Sequence, residues 1–457
     1  MRKKIVALLL CTVICAGFMS GCSKETASTG DVKVIKIWSS VGHSKGFWNE
    51  KIQEFNDTIG KKNGIKLEVE FQIDGSYNQM LDVAIQSDDL PDIFDGGATK
   101  QLVELDRIVP IDDLPGCDKL IEKYDGFMQE GKHKYQGKSY ALPGGATTRG
   151  LIYNKDMFKA AGIVDEKGEA KPPVTLAEYR EYAKKLTDKS KNQFGIVLPL
   201  KWVSWVKSDI TSLANGSFGI SCYDPVEQKY DYTILKPIID TYLGMKEDGS
   251  VYPGELSLDN DPARARFAEG GIGMKIAYSF DLGVLTTQFP AKFDWGVAPL
   301  PVLDAENTYK QYSQGSLGMR VSKKAIEKHG KEAVGLVYSW WYGDDNARDL
   351  YERGLEIPVV WEVVEDIELP EEMANWKAFC EMQAISQYDP LTVPTDLSGK
   401  TSLNDRIINN IWCNGADVMA ELQAITDDSN AGIELYKKNH PDADYSIYEY
   451  KEWNAKR

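Results

Sequence analysis

The stretch VKVIKIWSS, residues 32–40, alternates apolar and polar side chains in a run rich in β-branched residues and then meets Gly42. A period of two residues predicts a β-strand that ends in a loop. The following stretch, KGFWNEKIQEFNDTIG, spaces its aromatic and aliphatic residues at helical intervals and stops at Gly60. This spacing predicts an amphipathic helix that packs on the first strand.

The same alternation of strand and helix continues along the chain. GIKLEVEFQI, residues 64–73, predicts a second strand, SYNQMLDVAIQSDD a second helix, and PDIFDGG a third strand that breaks at Gly96. The order βαβαβ predicts an α/β fold with a mostly parallel sheet flanked by helices. Ligands of such sheets bind beyond the carboxyl ends of the strands, which here are the loops at residues 43–46, 74–77 and 95–100.

A second series of elements begins near residue 139. It contains the break PGG, the strand-like LIYN, and the helix LAEYREYAKK, for which Thr175 and Glu178 form a predicted capping box. The runs GGIGMKIAYSF and FDWGVAPLPV predict further strands, and residues 355–457 are mostly helical in pattern. The chain therefore has enough elements for two domains, each with its own core.

The amino terminus predicts export. Residues 1–21 combine a basic start, an apolar run of about 15 residues and a small-residue end, which is typical of a secretory signal peptide and shorter than the roughly 20 residues that span a bilayer. The order Met-Ser-Gly-Cys resembles a bacterial lipobox and predicts cleavage before Cys22 and a diacylglycerol with palmitate-type chains on its thiol. The small polar residues 22–31 predict a flexible tether. An ordinary signal peptide with an incidental cysteine is the alternative.

Composition excludes several classes of protein. The formal net charge of −16 disfavours nucleic acid as a partner. The cysteines after the tether have no Cys-x-x-Cys spacing and the four histidines are isolated, so the sequence predicts no disulfide scaffold, metal site, cofactor or catalytic triad. These features favour a binding protein over an enzyme.

Five stretches occur in an order that resembles a known family. They are SDDLPDIFD, YALPGGATTRGLIYNKDMFKAAGI, PPVTLAEYREYAKKLT, RFAEGGIGMKIAYSFDLGVL leading to FDWGVAPLP, and GSLGMRVSKKAIEKHGKEAVGLVYSWWYG. Together they cover nearly all of residues 32–350 and resemble the maltose-binding-like (family 1) extracellular solute-binding proteins. Members of that group are components, often lipoproteins, of carbohydrate ABC transporters.

The resemblance implies two α/β lobes, each a mostly parallel sheet flanked by helices, that close on a ligand. Lobe one would combine residues 33–145 with 303–350, and lobe two would combine residues 146–302 with 351–457. It also implies a carbohydrate ligand, ABC permease subunits as partners, a monomer, and a place at the extracellular face of the cell membrane.

A sugar site needs aromatic platforms for the C–H faces of the rings and planar polar groups for the hydroxyls. Loop positions and the resemblance select eight candidates for ligand binding: Trp202, Phe280, Asp281, Asp95, Tyr278, Arg149, Tyr77 and His43. Each has an ordinary alternative. Trp202 and its neighbour Trp205 would pack a helix, Asp281 would cap one, and Arg149 would make a hinge salt bridge.

Other residues are interpreted as structural. Trp340 and Trp341 lie mid-helix and are expected in the core. Asp259 and Asp261 lack the glycine and distal glutamate of a calcium loop, so a helix start is expected there. Thr147 replaces the acidic residue that the maltose-binding pattern has near the crossover, which argues against maltose itself.

Rival functions remain open from the sequence. The same fold could bind a peptide or a polyamine. A secreted glycosidase would need two carboxylates across a cleft, and a chain with 69 acidic residues always offers such pairs. A surface adhesin would more often show repeats, which are absent from this sequence.

Overall fold

A computed structural model describes residues 32–71, 76–315 and 318–454. Cys22, the predicted signal peptide and the predicted tether lie outside the described residues. The described part contains two four-stranded sheets, each packed against helices, and a small sheet that joins them.

The strands and helices follow one another along the whole described part of the chain. The strands are β1 (Lys33–Ser39), β2 (Ile65–Phe71), β3 (Ile93–Asp95), β4 (Lys134–Tyr135), β5 (Lys138–Ser139), β6 (Ala146–Thr147), β7 (Arg149–Asn154), β8 (Phe194–Ile196), β9 (Tyr223–Asp224), β10 (Lys229–Tyr230), β11 (Ile272–Tyr278), β12 (Trp295–Ala298), β13 (Gln311–Gly315), β14 (Met319–Val321) and β15 (Ser386–Tyr388). The α-helices are α1 (Lys45–Phe55), α2 (Lys61–Asn63), α3 (Tyr77–Ser87), α4 (Thr99–Glu104), α5 (Asp118–Tyr124), α6 (Lys155–Ala160), α7 (Leu176–Lys185), α8 (Thr211–Phe218), α9 (Lys236–Glu247), α10 (Asn260–Ala268), α11 (Asp281–Gly283), α12 (Lys323–His329), α13 (Lys331–Trp341), α14 (Asp344–Glu352), α15 (Ala374–Glu381), α16 (Leu403–Asp405) and α17 (Val418–Asn439).

The first sheet has the strand order β14, β3, β1, β2. β1 runs parallel to β2 and to β3, and β14 closes the edge antiparallel to β3. Ile35 and Ile37 of β1 are fully buried, whereas Lys36 between them is exposed, as the alternating pattern predicts. The predicted order βαβαβ and the buried apolar face of α1 are both confirmed.

The predicted end of the first helix is wrong by one turn. The chain stays helical past Gly60 and ends at Gly64, whose φ of +66° is the left-handed conformation that glycine adopts readily. Gly60 has a different function, because a Cβ there would lie 2.5 Å from the Ile65 carbonyl oxygen. Its small size permits close packing of the helix on β2.

The second sheet has the strand order β12, β7, β11, β8. β7 is antiparallel to both of its neighbours, and only β11 and β8 run parallel. The expectation of a mostly parallel sheet in the second lobe is therefore wrong. β7 and β11 are buried along their whole length, which is typical of parallel sheets covered on both faces. Here the core residues on the two faces cover an antiparallel pair, so burial carries no information on strand direction.

A small sheet with the order β15, β13, β6 joins the two larger ones. β13 pairs antiparallel with β6 and parallel with β15, and the N–H of Ala146 donates to the Ile357 carbonyl oxygen at 2.7 Å. The strands of the first sheet fall within the range predicted for lobe one, and those of the second within that for lobe two. The exact limits of the lobes stay a prediction.

The carboxyl-terminal part is helical, as predicted. The 22-residue helix α17 buries Leu422 and Ile425 in the same core as β11, together with Trp412. Trp376 is fully buried and donates its indole N–H to the Tyr351 carbonyl oxygen at 3.0 Å. Two of the tryptophans in this part are thus structural.

Two local predictions are confirmed at helix starts. Thr175 Oγ1 accepts the N–H of Glu178 at 3.2 Å, and Glu178 Oε2 accepts the N–H of Thr175 at 3.2 Å, which is the predicted capping box of α7. Asp259 caps α10 by accepting the N–H of Asn260 at 2.8 Å. Within the described residues no group of three or more His, Cys, Asp or Glu side chains is arranged to hold a metal ion.

We expect Thr175→Ala to lower the free energy of unfolding by about 1 kcal/mol, because it removes one half of the capping box. Urea unfolding followed by tryptophan fluorescence measures the change. Thr58→Ala, which removes an exposed threonine hydroxyl bonded only to Glu54 O, is the control and should change stability by less than about 0.5 kcal/mol. Equal effects of the two variants would contradict the capping role.

Candidate functional site

A line of aromatic rings connects the two lobes. Tyr278 at the end of β11 stacks on Phe280 with ring centroids 5.0 Å apart and planes 7° apart. Phe280 in turn faces His43, which lies in the loop after β1, at 6.1 Å and 24°. Because β11 belongs to the second sheet and β1 to the first, the contact between Phe280 and His43 spans the space between the lobes.

His43 has the environment of a residue in a cleft. Its side chain is exposed to solvent, yet the pKa of His43 is lowered from its usual value because the surrounding protein disfavours the charged imidazolium. A hydrogen bond with the backbone of Leu355 opposes this shift. A side chain is both solvent-accessible and partly desolvated when one of its sides faces water and protein surrounds the others.

Trp202 and Arg149 flank the stack on the side of the second lobe. The half-buried Trp202 meets Tyr278 edge-on at 6.4 Å and 83°. The buried Arg149 guanidinium lies 5.1 Å from the centre of the Tyr278 ring and donates through Nη1 to the Tyr312 carbonyl oxygen of β13 at 2.8 Å. Arg149 thus makes a hydrogen bond to the hinge strand rather than the salt bridge considered as its alternative.

Two predicted residues form hydrogen bonds within the protein. Asp281 is buried, its Oδ1 accepts from Arg264 Nη2, and its Oδ2 accepts the N–H of Tyr278 at 3.1 Å. Tyr77 is buried and donates its hydroxyl to the Asp95 carbonyl oxygen at 2.7 Å. These contacts position the stack and the end of β3. Direct binding of a ligand by Asp281 and Tyr77 stays a prediction.

Trp205 packs in the core, as its alternative reading expects. Its side chain is 1% exposed, and its indole N–H donates to Asp209 Oδ2 at 3.0 Å. Burial raises the pKa of Asp209 to about 6, against the attraction of Lys275 and the bond from Trp205.

Asp95 lies at the carboxyl end of β3, as predicted. Its Oδ2 accepts from Ser39 Oγ at 3.0 Å and from the N–H of Ser40 at 2.9 Å. Its Oδ1 is buried and has no hydrogen-bond partner among the described residues. The carboxylate lines a cavity of about 70 Å³ in the first lobe, beside the crossings of the chain between the lobes.

The same cavity contains residues that the sequence did not single out. Trp48, Trp341, Tyr124 and Glu356 line it together with Asp95. Trp341 was expected in the core, but it stacks on Trp48 with centroids 3.8 Å apart and also faces the cavity. No local pattern marks Glu356. The one sequence feature that relates to Glu356 is the glycine pair Gly144-Gly145 before β6. Gly145 leaves room for Glu356, because a Cβ at Gly145 would lie 1.9 Å from Glu356 Cγ.

Glu356 has a strongly perturbed acidity. Its surface is only half-buried, yet enough protein surrounds the carboxyl group that burial raises the pKa of Glu356 to about 7, against a hydrogen bond from the backbone of Gly145. A carboxyl group in this environment is either a neutral donor or an anion that a cation must compensate.

A family model described as bacterial extracellular solute-binding protein matches residues 42–348. The chain belongs to this family. Over 312 residues this solute-binding protein is 27% identical to a maltotriose-binding protein of Pyrococcus abyssi (strain GE5 / Orsay), covering 66% of the chain and 62% of that protein. Over 171 residues it is 28% identical to an arabinooligosaccharide-binding protein of Bacillus subtilis (strain 168), covering 36% of the chain and 38% of that protein. The matches span less than two thirds of these relatives' own lengths.

Solved structures share the fold. The maltose/maltodextrin-binding domain MalE of Bdellovibrio bacteriovorus, bound to maltotriose, matches with a TM-score of 0.66 at 16% identity, over 89% of this chain and 100% of that one. A solute-binding protein of Thermotoga lettingae TMO, bound to α-D-tagatose, matches with a TM-score of 0.65 at 19% identity, over 88% of this chain and 100% of that one. The expected two-lobe α/β fold is thereby confirmed. Nowhere in the described ranges is a helix both long enough and apolar enough to pass through a bilayer.

We expect Glu356→Gln to change how stability depends on pH. A raised pKa means that the folded chain binds the proton more tightly than the unfolded one, so this contribution is complete below the ordinary glutamate pKa of 4.5 and is lost as the pH rises through about 7. The free energy of unfolding of the native chain should therefore fall by up to about 3 kcal/mol more between pH 5 and pH 8 than that of the variant. Urea unfolding at the two pH values measures it.

The matched control is Glu352→Gln, which removes an exposed carboxylate four residues earlier. It should leave the pH dependence of the native chain unchanged. If Glu356→Gln and Glu352→Gln gave the same pH dependence of stability, the pKa of Glu356 would not be raised in the folded chain.

Proposed function

We propose that this solute-binding protein captures a sugar, preferably an oligosaccharide, between its two lobes and delivers it to the permease subunits of an ABC transporter. The observation that carries the proposal is the stack of Tyr278, Phe280 and His43, which runs from the second lobe to the first. The C–H face of a pyranose packs on aromatic rings, and a pocket between two moving lobes can exclude water when it closes.

Two buried polar atoms without a partner support the proposal, one beside the stack and one at the end of β3. Asp95 Oδ1 and Arg149 Nε are buried and have no hydrogen-bond partner among the described residues. A buried polar atom without a partner is unfavourable, and ligand hydroxyls would supply the missing bonds. Trp202, half-buried beside Tyr278, offers a further platform. The names of the two relatives described above, which bind maltotriose and arabinooligosaccharides, agree with this ligand class.

A glycosidase is the rival from another class. Asp95 and Glu356 share one cavity, and a carboxylate pair is the starting point of glycoside hydrolysis. The cavity of about 70 Å³ is smaller than the roughly 150 Å³ that encloses a benzene ring, so a sugar ring would not fit inside it. This geometry favours binding over cleavage. Peptides and polyamines remain alternative ligands that the test must include.

The direct test is thermal unfolding of residues 23–457 with a panel of mono- and oligosaccharides, peptides and polyamines. A ligand at about one hundred times its dissociation constant adds about 2.7 kcal/mol to the free energy of unfolding. Stabilisation by one series of glycans, which are recovered intact afterwards, is the expected result. A response only to a peptide or a polyamine, or hydrolysis of the glycan, would refute the proposal.

We expect Phe280→Ala and Trp202→Ala to weaken binding of the identified glycan about tenfold or more, because each removes a ring from the proposed platform. Isothermal titration calorimetry measures the dissociation constants. Tyr436→Ala is the control, since Tyr436 stacks on His440 at 4.2 Å at the end of α17, outside the proposed platform. Unchanged affinity in both cleft variants would show that the ring stack does not bind the glycan.

We also propose that a lipid on Cys22 holds the protein at the extracellular face of the cell membrane. The lipobox-like order of residues 19–22 supports this assignment. The full chain expressed in a bacterium should partition into detergent, and Cys22→Ser should partition into the aqueous phase. The control Cys413→Ser removes an exposed thiol and should behave as the native chain. Detergent partitioning of Cys22→Ser would contradict the anchor.

A further inference from the structure

The segment that follows α17 runs along the small sheet between the lobes. Its residues 444–454 are here called the strap. Trp453 donates its indole N–H to the Tyr312 hydroxyl of β13 at 2.8 Å. Asn454 Nδ2 donates to the Gly219 carbonyl oxygen, which follows α8, at 2.8 Å. These bonds hold one end of the strap against the strand that joins the two large sheets.

The middle of the strap is bonded to two further passages of the chain. The Tyr450 hydroxyl accepts the N–H of Leu391, three residues after β15, at 3.0 Å. The Tyr448 carbonyl oxygen accepts from Gln228 Nε2, between β9 and β10, at 3.2 Å. Both β9 and β10 fall in the range predicted for lobe two. The strap is therefore bound both to the joining sheet and to the second lobe.

The start of the strap contacts the first lobe. A Cβ at Gly131, which lies just before β4, would be 3.2 Å from Ile447 Cδ1, so the half-buried Ile447 packs against that turn. Lys100 of α4 attracts the carboxylate of Asp444. Gly131 and Lys100 fall in the range predicted for lobe one, whereas α17 packs in the same core as β11. The strap thus reaches from the second lobe to the first.

The strap and the ring stack bind the same residue of β13. The Tyr312 hydroxyl accepts from Trp453, and the Tyr312 carbonyl oxygen accepts from Arg149 Nη1. The Arg149 guanidinium in turn lies over the Tyr278 ring. The position of the strap is therefore connected to the side of the cleft that carries the stack.

Contacts of the strap with the first lobe depend on how the lobes are arranged. Proteins of two lobes open and close by rotation about the segments that join them. Ile447 is held on the side of the second lobe and the joining sheet, whereas Gly131 moves with the first lobe. The two residues meet in the arrangement in which His43 contacts Phe280, here called the closed arrangement.

We propose that the strap stabilises the closed arrangement before a ligand binds. Its contact with Gly131 adds to the contact between His43 and Phe280, and separation of the lobes breaks both. The apparent dissociation constant of a ligand equals the intrinsic constant divided by the fraction of protein in the competent arrangement. The strap therefore strengthens capture of a ligand that it does not touch.

The test measures the separation of the lobes with no ligand present. Lys45→Cys lies two residues after His43, and Gln288→Cys lies in the helical segment that follows Phe280, both at exposed positions. Cys413→Ser removes the exposed native thiol, and the other described cysteines are buried. Double electron–electron resonance between nitroxide labels on residues 23–457 gives the distribution of distances across the cleft.

We expect loss of the strap to shift this distribution to longer distances. A chain that ends at residue 443 loses every strap contact, and Ile447→Ala loses the contact with Gly131 alone. The shift should be smaller for Ile447→Ala. The control is Lys451→Ala, an exposed strap residue whose side chain has no hydrogen bond or ion pair within the described ranges, and it should keep the native distribution. Circular dichroism confirms that each variant is folded.

An unchanged or shorter distance in folded Ile447→Ala would overturn the proposed role of the strap, even if the shortened chain fails to fold. A second readout rests on the proposed function and uses the glycan found by the panel described above. Ile447→Ala should raise its dissociation constant by the factor by which the closed fraction falls. An unchanged constant beside a longer distance would refute the effect on capture. Absence of any glycan binding would refute the proposed function, while the distance measurement would still decide the strap.

Discussion

The backbone hydrogen bonds that hold β6 against β13 and against Ile357 keep three passages of the chain side by side between the two sheets. Backbone pairing of this kind requires the passages to be extended and adjacent, so it fixes the connection between the two sheets. The loop of His43 and the end of β11 meet through the Phe280 ring, and the segment of Glu356 lines the cavity beside the crossings.

The two walls of the cleft differ in chemistry. The second lobe contributes stacked rings, and the neighbours of Tyr278 hold them in place: Arg149 lies over its face, and Asp281 accepts its N–H. The first lobe contributes the carboxyl group of Asp95 at the end of β3, and the crossing segment contributes that of Glu356. A ligand that bridges the lobes would therefore meet an apolar platform on one side and acidic groups on the other. This chemical difference between the two walls would orient a ligand as well as bind it.

Charged side chains are buried behind the ring stack, and their burial is energetically unfavourable. Burial lowers the pKa of Lys275, whereas the carboxylates of Asp281 and Asp209 attract its ammonium and oppose that shift. Buried ionic groups are retained only where partners offset their desolvation. Arg264, which pairs with Asp281, also lies 5.7 Å from the centre of the Phe280 ring. The ion pairs behind the platform thus restrict the position of the rings that face the cleft.

The sequence by itself determined the features that depend on neighbouring residues. The alternation in β1, the apolar face of α1, the capping box of α7 and the start of α10 at Asp259 all follow from local periods and local hydrogen bonds. Family resemblance added the two-lobe plan, and together with loop positions it selected Trp202, Tyr278, Phe280 and His43 as ligand-binding candidates. Only the tertiary structure decided the directions of the strands beside β7, the burial of Asp281, and the meeting of Glu356 with Asp95, Trp48 and Trp341. Those features depend on contacts between residues that are far apart in the sequence. No local sequence pattern indicates which of these distant side chains meet.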